Sequence, residues 1–142
     1  LDLHARATGW MYAWKDAVNP NFNWKNFGLV FGGRPIGRNS SLCPSTMQVL
    51  QGIPGVEVAG FSLLLPRGKI PPHTDRLHPR NRTFHLGIHV KGESFLEVQT
   101  RQAVRRFHHA EGDTFMFDSR RIHRASNMHD DIRVVLYLDI RM

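Results

Sequence analysis

From residue 56 onward the chain is a succession of short apolar runs broken by turn-forming segments, and this alternation constrains the fold more than any other feature. The pattern predicts strands over 56–65, 85–90, 94–100, 102–108, 114–118, 123–126 and 132–140. The separating stretches "PRGK", "KGE", "AEGD" and "NMHDD" carry the glycine, proline, asparagine and aspartate that tight turns need. Many short strands at close spacing point to a mainly β domain, an antiparallel sandwich or barrel. "LLL" and "VVLYL" are apolar on both faces, so their sheet must be covered on both sides.

The first part of the chain is different. "HARATGWMYAWKDAV" places apolar and aromatic residues at helix-like spacing, "WKNFGLVFGGRPIG" reads as a strand ending in a glycine turn, and "PSTMQVLQGI" reads as a short helix opened by proline. Residues 1–54 are therefore expected to form a helical and loop cover over one sheet, with residues 55–142 as the core of a single domain of 142 residues. Cys43, the one cysteine, excludes a disulfide framework and suits a reducing, cytoplasmic compartment. It sits in a loop entering a helix and reads as structural. No run approaches the roughly 18 apolar residues of a membrane span, and the first ten residues lack the apolar stretch of a signal peptide. The chain starts at Leu1, as an excised or processed domain would.

Nineteen lysines and arginines against twelve acidic residues give a net charge of +7, which suits an anionic partner: an acidic polypeptide, a carboxylate-bearing small molecule or nucleic acid. The arginines are scattered over turns with no recognition helix and no interleaved aromatic platform. The basic residues thus read as a solvated surface, and nucleic acid is the least favoured partner.

The chemistry concentrates in a few residues. In "KIPPHTDRLHP", His73 and Asp75 point to the same side if the backbone is extended. "RIHRASN" supplies His123, 48 positions after Asp75. Two imidazoles and one carboxylate on one face of a metal leave the opposite positions open, the arrangement of non-haem Fe(II) oxygenases. With nine histidines in the chain the His-x-Asp pair alone carries little weight. Arg133 adds more. In "DIRVVLYLD" it lies on an apolar strand, sharing a face with Val135 and Tyr137, where an unpaired guanidinium would cost several kcal/mol. Its partner is either an internal carboxylate, Asp139 or Asp118, or the carboxylate of a ligand such as 2-oxoglutarate.

Taken together, "CPSTMQVL", "AGFSLLLPRGKIPPHTD", "HLGIHV" and "EGDTFMFDSRRIHRASNMHDDIRVVLYLDI" resemble the aspartyl/asparaginyl β-hydroxylase family of Fe(II)/2-oxoglutarate-dependent oxygenases, over roughly Cys43 to Arg141. The resemblance implies a double-stranded β-helix, that is a cupin-like jelly roll, with Fe(II), 2-oxoglutarate and O2 as cofactor and co-substrates. It implies His73 and His123 as iron ligands, with Asp75 completing a triad that some members lack, having glycine there. It further implies Arg133 and Ser62 at the far carboxylate of 2-oxoglutarate, and His85 near the other. Thr83 stands where the family often has an arginine, and Arg82 is the substitute considered for it. The implied activity is hydroxylation of an unactivated C–H bond, with an aspartyl or asparaginyl β-carbon of a polypeptide as the namesake target. A cupin-like metal-binding protein without oxygenase activity, and an oxygenase acting on a small molecule or nucleic acid, are the alternatives.

Around these residues several secondary expectations arise. His85, Gly87 and His89 share a strand face, with the glycine leaving room for a ligand. His89 reads as a satisfied or exposed histidine. His108 and His109 point to opposite faces and read as surface or packing residues. Asp118 and Asn127 flank His123 and are candidates to orient it. Arg67, Arg76, Arg120, Arg121 and Arg124, near the expected mouth, would suit an acidic substrate.

Overall fold

A computed structural model describes residues 9–14 and 21–142. The elements in order are β1 (Trp10–Trp14), β2 (Asn21–Phe31), β3 (Arg34–Pro35), α1 (Gly37–Ser41), α2 (Pro44–Gln51), β4 (Val56–Leu64), β5 (Lys69–His73), β6 (Asn81–His89), β7 (Ser94–Gln99), β8 (Val104–His108), β9 (Thr114–Phe117), β10 (His123–Asn127) and β11 (Arg133–Arg141). They form two antiparallel sheets. The larger runs β1-β2-β4-β11-β6-β9, with β3 attached to β2; the smaller runs β5-β10-β7-β8. This is the antiparallel sandwich the strand pattern calls for, in the jelly-roll form the family resemblance implies. No helix among the described residues is long and apolar enough to cross a membrane.

Alternation along the central strands builds two apolar layers. On one face of the large sheet Phe27, Leu29, Ala59 and Leu138 pack with Met47 and Leu50 of α2. Pro44 opens this helix at its first turn, where a missing N–H costs nothing. Between the sheets Leu64 and Phe117 meet Ile70, Leu96, Val98 and Ala125 of the small sheet. The covered large sheet explains the double-sided apolar runs "LLL" and "VVLYL".

Two expectations about the first part of the chain are corrected. The expected helix in "HARATGWMYAWKDAV" is a strand at Trp10–Trp14, paired antiparallel with β2; the flanks of that stretch lie outside the described residues. Aromatic residues recur there at every second position, a strand period, and aromatics favour pleated surfaces. Nor is 1–54 merely a cover. The eleven-residue β2 pairs with β4 and carries part of the cavity wall, so only α1 and α2 act as the lid over one face.

Candidate metal centre

The cavity lies between the sheets, with a volume of about 310 Å3. Strand parity decides what lines it. On β4 and β11 the residues facing the small sheet include Ser62, Arg133, Tyr137 and Asp139, while Ala59, Leu136 and Leu138 face α2. On β6, Thr83 and His85 face the cavity and Phe84 faces the helix side.

His73, Asp75 and His123 come together at one wall. Their candidate ligand atoms all lie within 4.8 Å of one another. The two histidines are direct cross-strand partners on β5 and β10, and a register shift follows immediately on β10. β5 is an edge strand, which is why Pro71 and Pro72 are tolerated within it. Asp75 lies just beyond β5, its backbone N–H donating to the carbonyl of Ser119 at 2.9 Å. Both imidazoles are turned the same way. His73 Nδ1 is 2.9 Å from the Pro71 carbonyl and His123 Nδ1 is 2.8 Å from the Arg121 carbonyl. A carbonyl only accepts, so each Nδ1 carries the proton and each Nε2 presents its lone pair. The Nε2 atoms face the Asp75 carboxylate at 3.6 and 3.5 Å. Burial lowers the His73 pKa, keeping that imidazole neutral as a metal ligand must be. Backbone carbonyls therefore orient the ligands. The expectation that Asp118 and Asn127 orient His123 fails: Asp118 is held by Arg120, and the Asn127 amide donates to the carbonyls of Leu64, Leu65 and Asp131.

Arg133 is 1% exposed. Among the described residues no carboxylate pairs with it, so the internal partners Asp139 and Asp118 are both ruled out. Its one side-chain contact is Nη2 to Ser62 Oγ at 3.3 Å, and Nε has no partner. Burial pushes its pKa down to about 10. Ser62 Oγ also accepts from Trp24 Nε1 at 2.9 Å. With two donors on its oxygen, the serine hydroxyl proton is left to be donated. A buried cation, an orphaned N–H and a free O–H thus converge on one end of the cavity, a donor set that fits a carboxylate.

His85 also lines the cavity, and its pKa is pushed down to about 3 by burial, then by Arg133 and His123. Its Nδ1 lies 3.3 Å from His109 Nε2, whose Nδ1 lies 2.9 Å from Ser94 Oγ. His109 is thus a buried support for His85 rather than a surface or packing residue. Burial and Arg133 lower its pKa as well.

Other expected residues are placed elsewhere. Arg82 is not a cavity residue: its Nη1 donates to the carbonyls of Pro79 and Asn81, and its parity on β6, opposite to that of Thr83 and His85, turns it from the wall they occupy. Gly87 does not make room for a ligand, because a Cβ there would lie 1.9 Å from the Ala110 carbonyl oxygen. His89 pairs with Asp131 at 3.1 Å. None of the five mouth arginines lines the cavity. Arg67, Arg120 and Arg124 are engaged by Asp130, Asp118 and Glu97. Sequence reasoning missed Trp24, Asn26 and Thr83 as wall residues. The parity of β2 and β6 is the signal that finds them, once the strand limits are known.

Comparison with known proteins agrees with this fold and gives the family. The sequence model of the aspartyl/asparaginyl beta-hydroxylase family matches residues 2–142, extending the resemblance through the first forty residues. The ornithine lipid ester-linked acyl 2-hydroxylase of Rhizobium tropici is 33% identical over 123 residues, 86% of this chain and 43% of that protein, so the chain spans less than half the length of this relative. Among solved structures, oxalate oxidase superposes with a TM-score of 0.58 at 17% identity, over 89% of this chain and 55% of that one. A cupin domain of Schizosaccharomyces pombe superposes with a TM-score of 0.52 at 12% identity, over 89% and 70% of the two chains. These two share the cupin fold.

Proposed function

The chain belongs to the aspartyl/asparaginyl β-hydroxylase family, and from that premise we propose that it is an Fe(II)- and 2-oxoglutarate-dependent hydroxylase. The observation that carries the reading is the pairing of two features in one cavity: a His73–Asp75–His123 cluster whose ligand atoms lie within 4.8 Å of one another, and a buried Arg133 lacking any anion among the described residues. His73, Asp75 and His123 would hold the iron. Arg133 and Ser62 would hold the far carboxylate of 2-oxoglutarate, the guanidinium providing charge and the hydroxyl its spare proton. His85, kept neutral by burial, adds no positive charge to that end. The bound iron, with 2-oxoglutarate and O2, supplies the oxidising power that converts C–H to C–OH, one oxygen atom entering the product and the other leaving in succinate beside CO2. The apolar wall of Ile70, Leu96, Phe117 and Ala125 keeps bulk water from the cavity and fixes the bound groups relative to one another.

The family name and the Rhizobium relative suggest different molecules but one kind of carbon. The β-carbon of an aspartyl or asparaginyl residue and C2 of an ester-linked acyl chain each sit next to a carbonyl-type carbon. We take the target to be such a methylene, in a substrate that enters past Asp75.

The test is an anaerobic titration. Fe(II) is added to metal-free protein, then 2-oxoglutarate, and the visible charge-transfer band of a chelated 2-oxo acid is followed. A band in the wild type, lost in His123→Ala and requiring far more 2-oxoglutarate in Arg133→Ala, is the expected result. Iron uptake without any band would turn the reading to a cupin-like metal-binding protein, and no iron uptake would reject the metal centre.

A further inference from the structure

The proposed function accounts for Arg133, Ser62 and the metal cluster, but it leaves one charged cavity residue unused. Asp139 lies on the same strand as Arg133, six positions further on, and lines the same cavity. Three described carboxylates have no cation within 4 Å: Glu93 and Asp113 are exposed, and Asp139 alone of the three lines the cavity. Glu57, Glu97, Glu111, Asp118, Asp130 and Asp131 each face an arginine, lysine or histidine within 4 Å. Asp75 faces the two histidines of the metal cluster. Asp139 has no cation within 4 Å among the described residues; burial above all, then Asp75 and Glu57, raises its pKa against the lowering effect of Thr83 and His123.

The carboxylate is nevertheless held firmly. Thr83 Oγ1 lies 2.6 Å from Asp139 Oδ1 and 3.0 Å from Ser119 Oγ. A threonine has one proton to give, so it donates to the carboxylate and accepts from Ser119. Ser119, 1% exposed, also receives the backbone N–H of Asp75 on its carbonyl. One oxygen of Asp139 is thus pinned by a buried hydroxyl chain that is anchored to the metal-cluster loop, and the other has no donor among the described residues. Holding a carboxylate in place at a cavity wall without neutralising it leaves a site for a donor from outside. An arginine at position 83 would face Asp139 directly across the β6–β11 ladder, where Thr83 and Asp139 are register partners. This chain has a short hydroxyl instead, and the carboxylate stays available.

We propose that Asp139, positioned by Thr83 and Ser119, is a subsite for a cationic group of the substrate, a primary ammonium or guanidinium carried near the carbon to be hydroxylated. The inference rests on the hydroxylase reading for the identity of the cavity, and it replaces the acidic substrate suggested by the mouth arginines with one carrying a positive charge. Arg133 and Asp139 then divide the cavity between an anion and a cation, and the substrate is sorted by charge before it reaches the metal cluster.

The probes are N-octanoyl-L-ornithine, with a free side-chain ammonium, and the same molecule acetylated on that amine. Binding to Zn(II)-loaded protein is read by calorimetry and by tryptophan fluorescence, since Trp24 lines the cavity. The expected result is that the wild type binds the ammonium form at least tenfold more tightly than the acetylated form. Asp139→Asn, which keeps the acceptor for Thr83, should erase that preference, with 2-oxoglutarate binding and melting temperature unchanged. Thr83→Arg, supplying an internal cation, should erase it too. Equal binding of the two probes by the wild type, no saturable binding of either, or a preference that survives in Asp139→Asn overturns the proposal. A parallel 2-oxoglutarate titration separates the two readings: loss of 2-oxoglutarate binding with the ammonium preference intact rejects the co-substrate and leaves the subsite standing.

Discussion

Arg133→Met should make the protein without ligands more stable while removing its response to 2-oxoglutarate. The wild-type guanidinium is 1% exposed, unpaired among the described residues, and carries an orphaned Nε. Its pKa falls to about 10, which against the ordinary arginine value corresponds to about 3 kcal/mol of folding free energy lost to desolvation. The sign is fixed by linkage. The native state binds this proton less tightly than the unfolded chain, so the penalty is complete at neutral pH and is relieved only as pH rises beyond about 10. Methionine fills similar space without charge. It forfeits the long contact to Ser62, about 1 kcal/mol, so the net gain is about 2 kcal/mol. At roughly 2–4 °C per kcal/mol for a domain of this size, the melting temperature should rise by about 4–8 °C. Saturation of the metal-loaded wild type with 2-oxoglutarate at a hundred times its Kd should add about 2.7 kcal/mol, and the variant should show none of it. Anaerobic thermal unfolding at pH 7.5, with and without 2-oxoglutarate, reads both effects. A fall in melting temperature of the size expected for a broken buried ion pair, about 3–5 kcal/mol, would refute the reasoning by showing that Arg133 already has an anion.

Two further predictions concern the walls of the cavity. His85 and His109 are buried with pKa values below the ordinary histidine value, to about 3 for His85, so the unfolded chain takes up protons the native state refuses. Their contribution is complete above about pH 6.5 and is lost as pH falls toward 3, at about 1.4 kcal/mol per pH unit for each, or about 4 kcal/mol together by pH 5. Urea unfolding in that window should show the loss, and His109→Phe should roughly halve its slope; an unchanged slope would mean that His109 titrates freely. Gly87→Ala should cost several kcal/mol in the same assay, because the new Cβ would lie 1.9 Å from a backbone oxygen that belongs to a well-tied loop. A neutral Gly87→Ala would restore the reading of that glycine as room for a ligand.

What the sequence made legible was whatever a local pattern could carry. The strand-and-turn alternation after residue 56 yields an antiparallel sandwich or barrel, narrowed to the jelly roll by the family resemblance, and the metal cluster emerges because His73 and Asp75 share a short extended segment while His123 and Arg133 open consecutive strands, β10 and β11. Arg133 stood out by chemistry alone, since an arginine in an apolar strand demands an explanation. What stayed hidden depends on register between distant segments. Thr83 meets Asp139 across 56 positions, and His109 meets His85 across 24, so no window around any of them shows the pairing. Gly87 was misread for the same reason: the chain that approaches it comes from Ala110, a loop beyond two intervening strands. Arg82 failed by one position of parity, which on a strand is a change of face. At Trp10–Trp14 a short aromatic run satisfied two periods at once, and pairing with β2 chose between them.

The arrangement along β11 ties these observations together. Arg133 and Asp139 are on the cavity side of one strand, six residues or about 20 Å of backbone apart, with Val135 and Tyr137 between them. β11 pairs with β4 on one side and β6 on the other over almost its whole length, so neither charge can move relative to the other without breaking the large sheet. On the proposed reading, the spacing between an anion-holding end at Arg133 and a cation-holding end at Asp139 is set by the backbone, whereas the side chains that complete each end come from different neighbours: Ser62 of β4 and Thr83 of β6. A substitution at Thr83 can alter the Asp139 end without touching the Arg133 end, because β4 and β6 lie on opposite sides of the strand. That separability is what a hydroxylase with a fixed co-substrate and a variable substrate requires of its scaffold. Under the proposed cationic subsite, the Thr83–Asp139 pair is the place where substrate choice would change while His73, Asp75, His123 and Arg133 stay as they are.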